Sequence, residues 1–239
     1  GLAAAGASAE LLPELLECGA PAGSLLPGPA AELGLPPNIP VVAGAMDQTA
    51  AALAAGCTRP GTVTETTGTA LVMAACTDAP MFRSGHHVTV YRHALPDKYL
   101  YLPIGNTAGM ALRWFRDEFC RDLPAGAAGY AALDALVQSV PCGCDGLAFL
   151  PFLSGSVDPD ACPEARAVFF GARLSTTRAH FARSVMESVA FLLRDFFGML
   201  NALGCPADTV YSLGGGARSA VWQQIKADAC GRTFRVPVC

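Results

Sequence analysis

Three glycine-containing turns are the segments of this chain whose residue types could do chemistry. They are TTGT at residues 66–69, GNTAG at 105–109 and GGGARS at 214–219. Glycine lets a backbone approach a ligand closely, and a helix N-terminus offers N–H groups that favour anions. Threonine and serine hydroxyls in these turns add hydrogen-bond donors for phosphate or ribose oxygens. Each turn alone is more typical of a tight connection, but three of them in one chain favour a nucleotide cleft.

Asp47 is the fourth candidate, and it lies where the apolar segment IPVVAGA, residues 39–45, runs into a stretch of small residues. Aspartate is a favoured helix N-cap, and the local features alone favour that structural role. The alternative is a general base, because a carboxylate can take the proton of a hydroxyl nucleophile as its oxygen attacks phosphorus. No turn of the chain matches GxxxxGK[ST], so such chemistry would not use a P-loop of that kind.

The first quarter of the chain predicts short elements separated by proline and glycine. Ser8 is a candidate N-cap, and Gly19 and Gly56 are candidate helix stops. The predicted elements are a helix over 8–19, a loop over 20–38, a buried strand within 39–45 and a helix over 47–55.

The remainder alternates strand-like and helical patterns, which predicts an α/β protein. Gly68 lies at a hairpin turn inside the threonine- and valine-rich segment 61–76. Ala111, Phe115 and Phe119 recur every fourth residue and predict one buried helix face. A long apolar stripe predicts a helix over 177–203, and the GGGARS turn separates a strand from a final helix that Gly231 ends.

Composition limits the classes of partner. The net charge is −4 without a basic block, so we expect no nucleic acid. No stretch reaches the roughly 18 apolar residues of a membrane helix, and the N-terminus does not look like a signal peptide. The 10 cysteines form no CxxC pair, which favours reduced, mostly buried thiols in a cytoplasmic protein and makes zinc improbable. We interpret His86, His87 and His93 as loop or strand histidines.

The order of five segments resembles the FGGY family of carbohydrate kinases, with the xylulokinase-like members closest in appearance. The segments are PVVAGAMDQTAAALAAG, GTVTETTGTALV, TAGMALRWFRDEF, GLAFLPFLSG and LGGGARSAVWQQIKADACG. A further segment, AVFFGARLSTTRAHFARSVME at 167–187, is similar to the second signature of the family, although Ala172 replaces a larger aliphatic residue. The resemblance covers nearly the whole chain.

The resemblance implies an actin/hexokinase/Hsp70-type, ribonuclease H-like ATPase fold that binds ATP with Mg2+ and a sugar between two domains. The catalytic base of the family falls on Asp47, and its phosphate turn falls on Gly68 and Thr69. A nucleotide-contacting glycine falls on Gly109. The glycine-rich adenosine site falls on Gly214, Gly215, Gly216 and Ser219. Arg113 replaces a glutamine that contacts nucleotide in some relatives.

The resemblance also implies where the domains begin and end. We expect residues 1–57 to end the first, sugar-binding domain and residues 58–239 to form most of the second, ATP-binding domain. The chain lacks a starting Met and the Asp-x-Gly-Thr turn of the family. We therefore expect an internal piece of a longer protein that has little kinase activity by itself.

Several alternatives stay open at this level. Xylulose is the first choice of substrate, with ribulose, fuculose, gluconate and glycerol as others, and a homodimer is the candidate assembly. A non-enzymatic ATP-binding switch and an interaction domain with merely structural glycine turns are the other classes. We interpret Glu187 as a buried structural acid, and Trp114 and Trp222 as packing residues.

Overall fold

A mixed β-sheet of seven strands forms the centre of the fold in a computed structural model, which describes residues 2–82, 88–207 and 209–237. In chain order the strands are β1 (Pro21–Ser24), β2 (Pro40–Val42), β3 (Thr62–Thr67), β4 (Leu71–Thr77), β5 (Val90–Arg92), β6 (Tyr99–Tyr101), β7 (Ile104–Gly105), β8 (Ala148–Leu150), β9 (Val168–Phe170), β10 (Thr209–Leu213) and β11 (Thr233–Arg235). The α-helices are α1 (Pro27–Leu33), α2 (Asp47–Ala54), α3 (Gly109–Phe119), α4 (Gly126–Gln138), α5 (Arg178–Ala202) and α6 (Ala220–Cys230).

The strand order of the large sheet is β11-β10-β3-β4-β6-β5, and β7 also pairs with β4. Strand β10 runs parallel to both β3 and β11, and its Leu213 lies opposite Thr66. The other neighbours in this sheet are antiparallel. Because parallel strands end at the same edge, the turns after β3 and after β10 leave the sheet side by side, where open α/β sheets bind ligands.

Helix α5 is the centre of the main core, and α3, α4, α6 and strand β4 pack against it. Its fully buried side chains form one continuous stripe that includes Val185, Val189, Leu193, Phe196 and Leu200. Each side chain of this size contributes roughly 1.5–3 kcal/mol on full burial. The capping box between Thr177 and His180 starts the helix, so the predicted helix over 177–203 is confirmed.

Strand β4 separates two cores, because successive side chains of a strand point to opposite faces. Leu71, Met73 and Ala75 face the α5 side, and Ala74 and Cys76 face a smaller cluster. This smaller cluster also contains Ala52 of α2. Helix α2 therefore packs on the face of the sheet opposite α5.

The prediction for the first quarter of the chain is wrong in three places. The helix expected over 8–19 is a short 3-10 turn over Ala9–Leu11, although Ser8 does cap it. The expected loop over 20–38 contains β1 and α1. Strand β2 is exposed along its length because it pairs with β1 outside the large sheet. Exposed strands and turns carry little hydrophobic periodicity, which is the signal that the prediction used.

The hairpin at Gly68 and helices α2, α3 and α6 are confirmed, with Gly231 as the left-handed C-cap of α6. The expected apolar face of α3 is confirmed for Ala111 and Phe115, which are buried. Phe119 departs from this expectation and is 54% exposed at the end of the helix. Burial at a helix end depends on what packs there, and spacing alone does not determine it.

The cysteines that the structure describes are free thiols, and most of them are buried. Burial raises the pKa of the Cys57 and Cys230 thiols to about 12 and that of Cys76 to about 11, from an ordinary 9.0. The unfolded chain thus releases these protons near pH 9, while the folded chain keeps them. The stability that results is complete below pH 9 and is lost as the pH rises towards 11–12.

We expect the urea concentration at the midpoint of unfolding, measured under reducing conditions, to decrease as the pH rises above 9. The free energy of unfolding should decrease by on the order of 1.4 kcal/mol per pH unit for each titrating buried thiol. Cys57→Ala provides the control, because its unfolding midpoint should change less between pH 8 and pH 10.5. Identical pH dependence in this variant and the parent chain would contradict the assignment.

Candidate functional site

The three glycine turns of the sequence lie together at the edge where β3 and β10 end. The backbone N–H of Gly109, at the start of α3, donates to the carbonyl of Gly68 at 2.8 Å. A Cβ at Gly109 would overlap that carbonyl oxygen, and one at Gly216 would lie 2.6 Å from two side-chain carbons of Thr67. Only glycine fits these positions without displacement, so the close packing of the turns explains both glycines.

Thr69 is the exposed residue of the first turn. Its carbonyl accepts hydrogen bonds from the N–H groups of Ala108 and Met110, at 3.0 and 3.2 Å. Its hydroxyl has no hydrogen-bond partner among the described residues. The first N–H groups of α3 are therefore used by the hairpin turn, and the exposed group available to a ligand is the Thr69 side chain.

The third turn is open to solvent at its start and closed at its end. Gly214 has a φ of +78°, and both Gly214 and Gly215 are exposed. A Cβ at Gly215 would meet nothing within 4 Å. Ser219 caps α6 by accepting from the Trp222 N–H at 3.0 Å, and its hydroxyl donates to Asp134 at 2.8 Å. The Ser219 hydroxyl is thus already occupied, and the accessible part of the turn is its glycine backbone.

Asp47 occupies the first turn of α2. Met46 is the N-cap residue, so the interpretation of Asp47 as the N-cap is wrong by one position. The Asp47 side chain is exposed and accepts a hydrogen bond from the Gln48 N–H at 2.7 Å. A carboxylate here is favoured by the helix dipole. Hydrogen bonds of the described residues do not connect it to the glycine turns.

A buried ionic cluster lies behind the turns, and the sequence patterns did not predict it. Lys226 Nζ lies 2.7 Å from Glu65 Oε1 and donates to the Thr67 hydroxyl at 2.8 Å. The Thr67 hydroxyl donates to Glu65 Oε2 at 2.7 Å, and the Ser212 hydroxyl donates to Glu65 Oε1. Burial lowers the pKa of Lys226, and Glu65 opposes this effect. The sequence did contain one signal for this cluster, namely the charged residue Glu65 inside the strand-like run TVTETT.

Glu187 is the structural acid that we predicted. It accepts hydrogen bonds from Arg183 at 2.7 Å and from the Gly143 N–H at 3.0 Å, and it is buried while Arg183 is partly buried. Trp222 is confirmed as a packing residue, because it is buried and donates to the Met186 carbonyl. Trp114 packs against Phe149.

His93 is buried and joins two backbone segments through Cys57 and Leu95, as expected of a structural histidine. His86 and His87 lie outside the described residues. In the described part of the chain, His, Cys, Asp and Glu side chains form no group that could hold a metal ion. Within the same ranges, no helix is long and apolar enough to cross a membrane.

A mixed sheet with helices on both faces, and with glycine turns gathered where parallel strands end, is the architecture of the actin/hexokinase-like ATPase fold. Solved structures agree, since xylulose kinase from Rhodospirillum rubrum matches with a TM-score of 0.86 and 33% identity over 98% of this chain and 46% of its own. Residues 63–239 match the model of the FGGY family of carbohydrate kinases, C-terminal domain. The chain belongs to the FGGY family.

Two curated relatives from Bacillus subtilis show the extent of the match. Xylulose kinase is 31% identical over 93% of this chain, and gluconokinase is 31% identical over 87%. The chain spans 44% and 42% of the lengths of these two proteins.

Proposed function

We propose that the intact protein transfers the γ-phosphoryl group of ATP to a sugar hydroxyl, with a pentulose such as xylulose as the first candidate. The observation that carries the proposal is the meeting of the three glycine turns at one edge of the sheet, in a chain of the FGGY family. Thr69 would contact phosphate oxygens, and the exposed Gly214 and Gly215 backbone would lie against the adenosine. Gly68, Gly109, Gly216 and Ser219 stay predicted nucleotide-binding residues, and their contacts within the protein would also hold the turns in place.

Asp47 would act as the general base. Its exposed carboxylate can accept a proton from a sugar hydroxyl, which then attacks the γ-phosphorus while ADP leaves. The role requires that the sugar and the glycine turns share one cleft with α2.

Mg2+ would enter with the phosphates of ATP. The described residues offer no group of three acidic, histidine or cysteine side chains for a protein cage. This fits a magnesium ion that keeps several waters and binds through substrate phosphates and one or two carboxylates. The ion would neutralise charge on the β- and γ-phosphates.

The organisation into domains is also a proposal. Residues 1–57 carry many exposed apolar side chains, such as Leu15 at 90% and Leu26 at 68% exposure. A separate two-stranded sheet such as β1–β2 is marginally stable in water. We infer that this segment completes a first domain and that residues 58–239 form the ATP-binding domain. We further propose a cytoplasmic location, and the homodimer stays a prediction for sedimentation of the intact protein.

Coupled measurement of ADP release tests the proposed function. With the intact protein, we expect ADP release that depends on one of xylulose, ribulose, fuculose, gluconate or glycerol. Sugar-independent ATP hydrolysis would indicate a nucleotide switch instead, and failure to bind any adenine nucleotide would indicate structural glycine turns. For the 239-residue chain alone we expect little turnover, because it spans less than half the length of the kinases that it matches.

A further inference from the structure

The buried ionic cluster connects the two turns that the proposed function assigns to nucleotide. At one end, Thr67 precedes Gly68 in the first turn. At the other end, the Gln223 amide donates to the Ser212 hydroxyl at 2.8 Å and to the Gly216 carbonyl at 3.2 Å. The cluster therefore runs without a break from the first turn, through Glu65, to the third.

The turns also rest directly on the cluster. A Cβ at Gly214 would lie 2.9 Å from the Thr67 carbonyl oxygen, and one at Gly216 would touch the Thr67 side chain. A movement of Thr67 would therefore shift the atoms on which the third turn packs. The Thr67 hydroxyl is bonded to Glu65 and Lys226, so this pair holds the side chain against which Gly216 packs.

Stability alone is a weak reason for such a cluster. Removing two charges from water costs several kcal/mol per ion, and apolar replacements of buried pairs are often neutral or stabilising. Here both side chains are fully buried, and the donors and acceptors are almost completely used. The Lys226 ammonium also lies 5.4 Å from the centre of the Trp222 ring. Among the described residues, the Gln223 amide oxygen is the buried atom of the cluster without a hydrogen-bond partner. A polar cluster in which nearly every group is hydrogen-bonded still favours one geometry, which an apolar core does not specify as strictly.

We propose that Glu65 and Lys226 are positioning residues whose buried pair holds the turn 67–69 at a defined spacing from the turn 214–217, and thereby sets nucleotide affinity. Neither side chain reaches solvent, so neither contacts the nucleotide itself. The effect on affinity rests on the proposed function, whereas the spacing of the turns does not.

The test uses Lys226→Met, Glu65→Gln and the double variant in the intact protein. Mg-ADP is the probe, titrated by calorimetry, and hydrogen exchange reports on the amides of both turns. Arg183→Met is the matched control, because Arg183 and Glu187 form another, largely buried pair whose partners lie in α4, α5 and the 142–144 segment. We expect Lys226→Met to weaken Mg-ADP binding about tenfold more than the control, which corresponds to about 1.4 kcal/mol.

The double variant keeps the proposal testable if a single variant fails to fold. It leaves no uncompensated charge, so we expect it to regain stability while Mg-ADP binding stays weak and amides of both turns exchange faster than elsewhere. Affinity equal to that of Arg183→Met, or uniformly faster exchange, would overturn the proposal. If the parent protein binds no Mg-ADP, the proposed function fails, and the exchange pattern alone decides whether the pair holds the turns.

Discussion

Replacement of Asp47 by alanine in the intact protein is expected to lower the rate of sugar phosphorylation roughly 10²- to 10⁴-fold, the usual contribution of a positioned general base. Nucleotide binding should survive, because the glycine turns do not use this side chain. The rate constant at saturating sugar and Mg-ATP is the measurement, with Mg-ADP affinity recorded in parallel. The expected combination is a large loss of turnover with unchanged affinity for ADP.

Glu32→Ala is the matched control for this variant, because Glu32 is also an exposed acid in the first quarter of the chain. Its turnover should stay within about twofold, in line with small effects of surface substitutions away from special features. Asp47→Ala also loses a favourable helix-dipole interaction of about 0.3–1 kcal/mol, so both variants are compared well below their unfolding temperatures. Near-normal turnover of Asp47→Ala would reduce Asp47 to a structural residue of α2.

Adding a single methyl group at Gly109 or Gly216 should disrupt the joined turns. The new Cβ at Gly109 would meet the Gly68 backbone, and that at Gly216 would meet Thr67 at 2.6 Å. Overpacking of this kind costs typically 1–3 kcal/mol, because rigid neighbours must shift. We expect lower urea midpoints for both alanine variants, together with weaker Mg-ADP binding.

Gly215→Ala separates packing from ligand contact. A Cβ there meets nothing within 4 Å, so stability should change by less than about 0.5 kcal/mol. If adenosine lies against this backbone as proposed, Mg-ADP affinity should fall without loss of stability. A Gly216→Ala variant as stable as the parent chain would refute the packing argument. Unchanged Mg-ADP affinity in Gly215→Ala would indicate that the adenosine binds elsewhere.

The candidate site was predictable wherever its signal was local. Glycines at strand ends, the hydroxyl residues beside them and the carboxylate at the start of a helix are all visible in short windows of sequence. The order of these windows indicated one family, which the match over residues 63–239 confirms. The sites assigned from that order, including Asp47 as base, stay predictions for the experiments above.

From β3 onward, the sequence by itself determined most of the element types and the long apolar stripe of α5. These depend on backbone conformation and on side-chain period, which are properties of a few neighbouring residues. Only the tertiary structure decided that Glu65 and Lys226 are partners, since 161 positions separate them along the chain. It also decided that β2 is exposed and that the Ser219 hydroxyl is occupied. Burial and hydrogen-bond partners depend on which surfaces meet in space, and no local pattern contains that information.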